Sequence, residues 1–110
     1  MTRKQKKYLF DILQAIRAIN EDHLGDITSL EVFSNAPTNM RAVERELEII
    51  GEAAYRLRQA GIELTQSDAL INRRNTIIHQ HDSFQPKTIW YFVQQKIPLL
   101  EKEVSVLLEE

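Results

Sequence analysis

The 110-residue chain predicts an all-α fold, an up-down bundle of four main helices plus one short helical turn. Two observations carry this, and a third bounds the chemistry. Apolar residues recur three and four apart over four long stretches, the spacing of a helix with one buried face. Glycine and proline number only three each, too few for a turn-rich β fold. Cysteine is absent, so no disulfide, thiolate nucleophile or Cys-ligated zinc enters the argument. The length suits one domain over residues 1–110, with a core that a dimer would extend.

The first helix is expected from about Lys4 to Asn20, with Leu9, Ile12, Leu13, Ile16 and Ile19 on one face. Its basic tip, Arg3, Lys4, Lys6 and Lys7, reads as a solvated helix start. Residues His23 to Asn39 connect, with one turn at Ser29–Phe33 capped by Ser29. His23 reads as a surface residue without a role. The second helix is expected from about Asn39 to Ala60, with the stripe Met40, Val43, Leu47, Ile50, Ala54 and Leu57, widened by Ile49 and Ala53. Gly61 ends it. Gly51, inside it, costs about 1 kcal/mol against alanine, so a close helix crossing is the expected reason for it. Arg41, Arg45, Glu48, Glu52 and Arg56 line its charged side. Glu48 and Glu52 look like a carboxylate pair, but read as partners for Arg45, Arg56 or the arginines of the third helix.

The third helix starts at a Ser67 or Asp68 cap and frays near His79 to Asp82. Leu70, Ile71, Ile77 and Ile78 supply its buried side. The last begins between Ser83 and Lys87 with Pro86 in its first turn, and runs to the end with a kink at Pro98. Its stripe is Ile89, Val93, Ile97, Leu100, Val104 and Leu107, broadened by Trp90 and Phe92.

Net charge is −2, which excludes a general nucleic-acid coat and leaves RNA contact to a local patch. No apolar run approaches the ~18 residues of a membrane span. Tyr8-Leu9-Phe10 meets Asp11 too soon for a signal-peptide core, so a cytoplasmic protein is expected.

Chemistry concentrates in Asn72-Arg73-Arg74-Asn75-Thr76-Ile77-Ile78-His79-Gln80-His81-Asp82, which holds two of the three histidines. A guanidinium can bind a phosphate and neutralise charge growing at phosphorus. A neutral imidazole can take the proton of a neighbouring 2′-hydroxyl. No metal is required, and the Asn75 amide can fix a histidine tautomer or bind a phosphate oxygen. A metal site on His79, His81 and Asp82 lacks further ligands at a recognisable spacing. Arg74 and His79 are five apart, hence about 140° apart around a helix. An unwound helix end, the long arginine arm or a second copy must bring them together. The last of these places the site at a two-fold interface. Taken alone, a helix carrying Arg, Asn and His is more often one with no catalytic role.

Three stretches resemble the HEPN superfamily, and within it the HepT branch of toxin–antitoxin systems. They are Arg74-Asn75-Thr76-Ile77-Ile78-His79, the second-helix run Arg45-Glu46-Leu47-Glu48-Ile49-Ile50-Gly51-Glu52-Ala53-Ala54, and Ile89-Trp90 followed by Ile97-Pro98-Leu99-Leu100. The resemblance covers nearly the whole chain. It implies a dimerising helical bundle and a metal-independent endoribonuclease without cofactors, with a small nucleotidyltransferase as cognate antitoxin. It makes Arg74 and His79 the catalytic pair, with Asn75, Glu48 and Glu52 in support. One position departs: the branch carries a tyrosine two residues after the histidine, where the partner attaches AMP, and here it is His81. Adenylylation of a phenol at that position is therefore excluded. His81 stands among the supporting residues, while Tyr55 and Tyr91 match no part of the motif. The alternatives are a non-catalytic subunit that docks a nucleotidyltransferase and presents substrate or nucleotide, and a plain helical dimer.

Overall fold

A computed structural model describes residues 1–80 and 85–110, with the side chains of residues 75–80 excepted. Its elements are α1 (Arg3–Arg17), a π-helical turn (Ala18–His23), α2 (Leu30–Ser34), α3 (Pro37–Gln59), α4 (Ser67–Gln80), α5 (Pro86–Gln95) and α6 (Ile97–Glu109). The chain is all-α. No strand occurs among the described residues, and none of their helices is long and apolar enough to cross a membrane.

Helix α1 starts one residue before the expected Lys4 because Thr2 and Gln5 form a capping box. The Gln5 N–H donates to the Thr2 hydroxyl and the Thr2 N–H to the Gln5 side chain, at 3.1 and 2.8 Å. Its expected end at Asn20 is passed by the π turn, which carries the chain to His23 and still buries Ile19. Ser29 caps α2 as expected, accepting from the Val32 N–H. Helix α3 begins two residues before Asn39, with Pro37 at its first position, where a missing N–H leaves nothing unbonded. It ends in a Schellman turn. Gly61 has φ +95°, its N–H donates to Arg58 O, and the Ile62 N–H donates to Leu57 O at 2.9 Å.

Ser67 does not cap α4. Its hydroxyl accepts the Leu64 N–H at 3.0 Å and so closes the preceding turn, while Asp68 reaches across to Arg58. The backbone stays helical through Gln80. The part of the expected fraying segment at His81 and Asp82 lies outside the described residues.

Pro98 breaks the last helix as predicted. The α-helix stops at Gln95 and restarts at Ile97 with Pro98 in its first turn. Gln66 donates to Lys96 O at this bend, and Thr65 donates its N–H and hydroxyl to Glu103 of α6, so the α3–α4 loop is held to both.

The apolar stripes meet in one core. Leu9, Ile12, Ile16 and Ile19 of α1 face Val43, Leu47, Ile50, Ala54 and Leu57 of α3, joined by Ile89, Val93, Ile97, Leu100 and Val104. Leu13, Met40, Leu107 and Trp90 pack at its edge, and Phe33 of α2 is buried against Trp90 with ring centroids 5.4 Å apart. Burying a side chain of this kind is worth about 1.5–3 kcal/mol. Helix α3 is the central element, packed along both α1 and α4.

Candidate functional site

The crossing of α3 and α4 sets the site. A Cβ on Gly51 would lie 2.5 Å from Arg74 Cβ and 2.8 Å from Leu70 O. Only a glycine lets the two backbones come this close. The close crossing expected of Gly51 is thus present, and what it brings against α3 is the backbone that carries Arg74.

Arg74 is mostly buried, and its Nη1 donates to Glu52 Oε2 at 2.5 Å. The other Glu52 oxygen accepts from Arg56 Nε at 3.0 Å, so one carboxylate holds two guanidinium groups. Glu48 pairs with Arg45 at 3.5 Å. Both glutamates therefore have arginine partners, as the sequence suggests, and Glu52 is the one that orients Arg74. The Arg74 guanidinium also stands 5.6 Å from the centre of the Tyr55 ring. Its Nε is buried, and among the described residues no acceptor reaches it.

The neighbouring Arg73 goes elsewhere. Its guanidinium lies over the Phe92 ring at 4.4 Å, and burial pushes its pKa down from the ordinary arginine value. Successive helical residues differ by about 100°, so two adjacent arginines serve two different neighbours. Arg73 joins α4 to α5, while Arg74 faces α3.

Arg74 lines a cleft of about 630 Å³. Helix α1 contributes Lys7, Tyr8 and Asp11 to it, and α3 contributes Arg45, Glu48, Ile49, Glu52, Ala53 and Arg56. The α1 residues are functional candidates that sequence reasoning missed. Lys7 sits in the charge run read as a solvated tip, and nothing in the local pattern shows which side of α1 borders α3's charged face. Lys7 donates to Asp11 at 2.8 Å, and its ammonium pKa is raised, chiefly by that hydrogen bond.

The positions of Asn75 and His79 lie on α4 beyond Arg74, and His81 lies outside the described residues. The structure therefore brings Arg74, Glu48 and Glu52 to one cleft. Because α4 remains helical through Gln80, the backbone does not unwind between positions 74 and 79. His23 is not the bare surface residue expected: its Nε2 lies 3.0 Å from Glu46, and Asn39 donates to its carbonyl. Both contacts fasten the π turn to α3. Among the described residues no cluster of three His, Cys, Asp or Glu side chains forms a metal site.

An all-α chain whose Arg-x4-His helix sets its arginine in a charged cleft agrees with the HEPN resemblance of the sequence. The ribonuclease HepT-like family model matches residues 12–107. A candidate RNase of Caldanaerobacter subterraneus subsp. tengcongensis is 32% identical over 108 residues, covering 96% of this chain and 95% of the relative. Two candidate RNases of Methanocaldococcus jannaschii are 30% and 29% identical, each covering 96% of this chain and 97% and 88% of their own lengths. No solved structure matches significantly. The chain belongs to the ribonuclease HepT-like family, and its enzymatic class is that of a ribonuclease.

Proposed function

We propose that the protein is a metal-independent endoribonuclease in which Arg74 holds the scissile phosphate and His79 acts as the general base. The supporting observation is the Glu52–Arg74 pair: a mostly buried guanidinium, fixed on one side by a carboxylate, lines an open cleft. Such a group is preorganised for a phosphate oxygen and loses little freedom on binding it. In the reaction, His79 takes the proton of the ribose 2′-hydroxyl. The 2′-oxygen attacks phosphorus, the P–O5′ bond breaks, and the departing 5′-oxygen takes up a proton. The products are a 2′,3′-cyclic phosphate and a 5′-hydroxyl. Histidine supplies the base and arginine the charge neutralisation, so the step needs no Lewis acid. General-base transfer is worth about 10²–10⁴ in rate.

Positions 74 and 79 diverge by about 140° on a continuous helix. The working site is therefore made by two copies of the chain, each giving Arg74 and His79 to a shared groove, with Asn75 supporting the pair and Glu48 and Glu52 behind Arg74. In the cell this nuclease is the toxin of a toxin–antitoxin pair restrained by a small nucleotidyltransferase. A second reading, a non-catalytic subunit that docks the nucleotidyltransferase, is favoured by the net charge of −2 and by His81 in place of the family's tyrosine.

The test is incubation of the pure protein with RNA in EDTA, beside His79→Ala and Arg74→Ala. Cyclic-phosphate ends made by the parent and by neither variant support the nuclease. No cleavage, with tight binding to a co-expressed nucleotidyltransferase, supports the second reading.

A further inference from the structure

Away from Arg74, the α1–α3 cleft is not arranged as a continuous phosphate track. Grooves that follow a nucleic-acid backbone are lined by cations, with aromatic rings for the bases. Here the other cations each sit beside a carboxylate: Lys7 by Asp11, Arg45 by Glu48, and Arg56 by Glu52, whose second oxygen positions Arg74. Between these pairs lie Ile49, Ala53 and the half-buried ring of Tyr8. An apolar floor, an aromatic wall and a few carboxylate acceptors suit a flat, neutral group with N–H donors at its edge. A volume of about 630 Å³ falls within the usual range of small-ligand sites. Arg74 lines the same cleft, so a group seated in it lies next to whatever Arg74 binds.

We propose that this cleft is a base pocket, taking the nucleobase of single-stranded RNA next to the phosphate held by Arg74. The base lies against Tyr8 over Ile49 and Ala53. Asp11 and Glu48 accept from its exocyclic amine. Carboxylates accept and do not donate when ionised, so they favour adenine, cytosine and guanine, whose exocyclic amine offers two N–H donors, over uracil, which has no exocyclic amine and only its N3–H to give. The pocket thus sets which nucleotide stands beside the cut. The inference rests on the assignment of Arg74 to phosphate, but not on the chain's cleaving anything.

Binding is measured in the His79→Ala protein, by fluorescence anisotropy with labelled single-stranded oligo-A, oligo-C and oligo-U, so that catalysis plays no part. Oligo-A and oligo-C bind more tightly than oligo-U, by about fivefold or more. Adding Tyr8→Leu weakens oligo-A binding about tenfold, while Tyr8→Phe, which keeps the ring, leaves it within about twofold. Asp11→Asn with Glu48→Gln narrows the A-to-U difference, because an amide also offers donors to uracil. This pair of isosteric changes carries the test if Tyr8→Leu fails to fold, as read by circular dichroism. Equal or tighter binding of oligo-U, or no effect of the acid-to-amide changes, overturns the base pocket. So does a change of sedimentation from dimer to monomer in Tyr8→Phe or Asp11→Asn, which would make the cleft a contact between copies. Base-selective binding with no RNA cleavage by the parent refutes the nuclease and leaves the pocket standing.

Discussion

Replacing Gly51 by alanine sets two opposed effects against each other, and the sign of the result shows which one governs the α3–α4 crossing. Inside a helix, alanine is favoured over glycine by about 0.8–1.0 kcal/mol. Were position 51 an ordinary helical site, the variant would be more stable than the parent by that amount. The structure places the new methyl 2.5 Å from Arg74 Cβ and 2.8 Å from Leu70 O, the latter a backbone atom that moves only with its helix. Overpacking of this kind costs about 1–3 kcal/mol. The expected net is a loss of about 1 kcal/mol, read as a drop of about 4 °C or more in the midpoint of thermal unfolding. Gly51→Val adds two further carbons at the same contact and must be worse than alanine. Because α4 carries Arg74, RNA cleavage should fall in the alanine variant even at temperatures where it stays folded. Denaturant unfolding followed by circular dichroism gives the stability, and an RNA cleavage assay gives the activity. An alanine variant that unfolds at a higher temperature than the parent and cleaves equally well would refute the close-crossing argument.

Glu52→Gln removes the charge that fixes Arg74. Its carboxylate is about half exposed, so stability should change by less than about 1 kcal/mol, while kcat for RNA cleavage falls with little change in KM. An equal loss in a variant made at Glu46, which pairs with His23 instead, would argue against a specific positioning role. Glu63 is held below the ordinary glutamate pKa, first by its hydrogen bond from Arg58. A lowered folded-state value means that the pair's stabilisation is present above the unfolded pKa and is lost as pH falls through the folded one. A carboxyl NMR titration should show Glu63 titrating below the usual range, and returning towards it in Arg58→Ala. Leu47→Ala, at a 1% exposed site in the middle of α3, should cost about 2–5 kcal/mol by denaturant unfolding. A loss under 1 kcal/mol there would mean that α3 is not the core helix.

Much of the fold was legible because apolar spacing is a local signal. The stripes of α1, α3 and the last helix predicted the buried residues nearly one for one, and Gly61 and Pro98 marked a helix end and a bend by their own backbone chemistry. The misses were also local in origin. Thr2 and Gln5 form a capping box whose second member is a glutamine inside a lysine run. Ser67 has the composition of a cap but spends its hydroxyl on Leu64, a choice set by the shape of the turn. The site was half legible. Arg74, Glu48 and Glu52 stood out by residue type, and Gly51 by its cost in a helix.

The amino-acid order by itself settled the all-α class, the faces each helix buries and the Arg-x4-His stretch, since each depends on residues within a few positions of one another. Which arginine of Arg73 and Arg74 turns to α3, that Glu52 is the carboxylate holding it, and that Lys7, Tyr8 and Asp11 share its cleft were decided only by the packing of α1 and α4 on α3. Those contacts join residues 22 or more positions apart. They depend on crossing geometry, and no local periodicity records it.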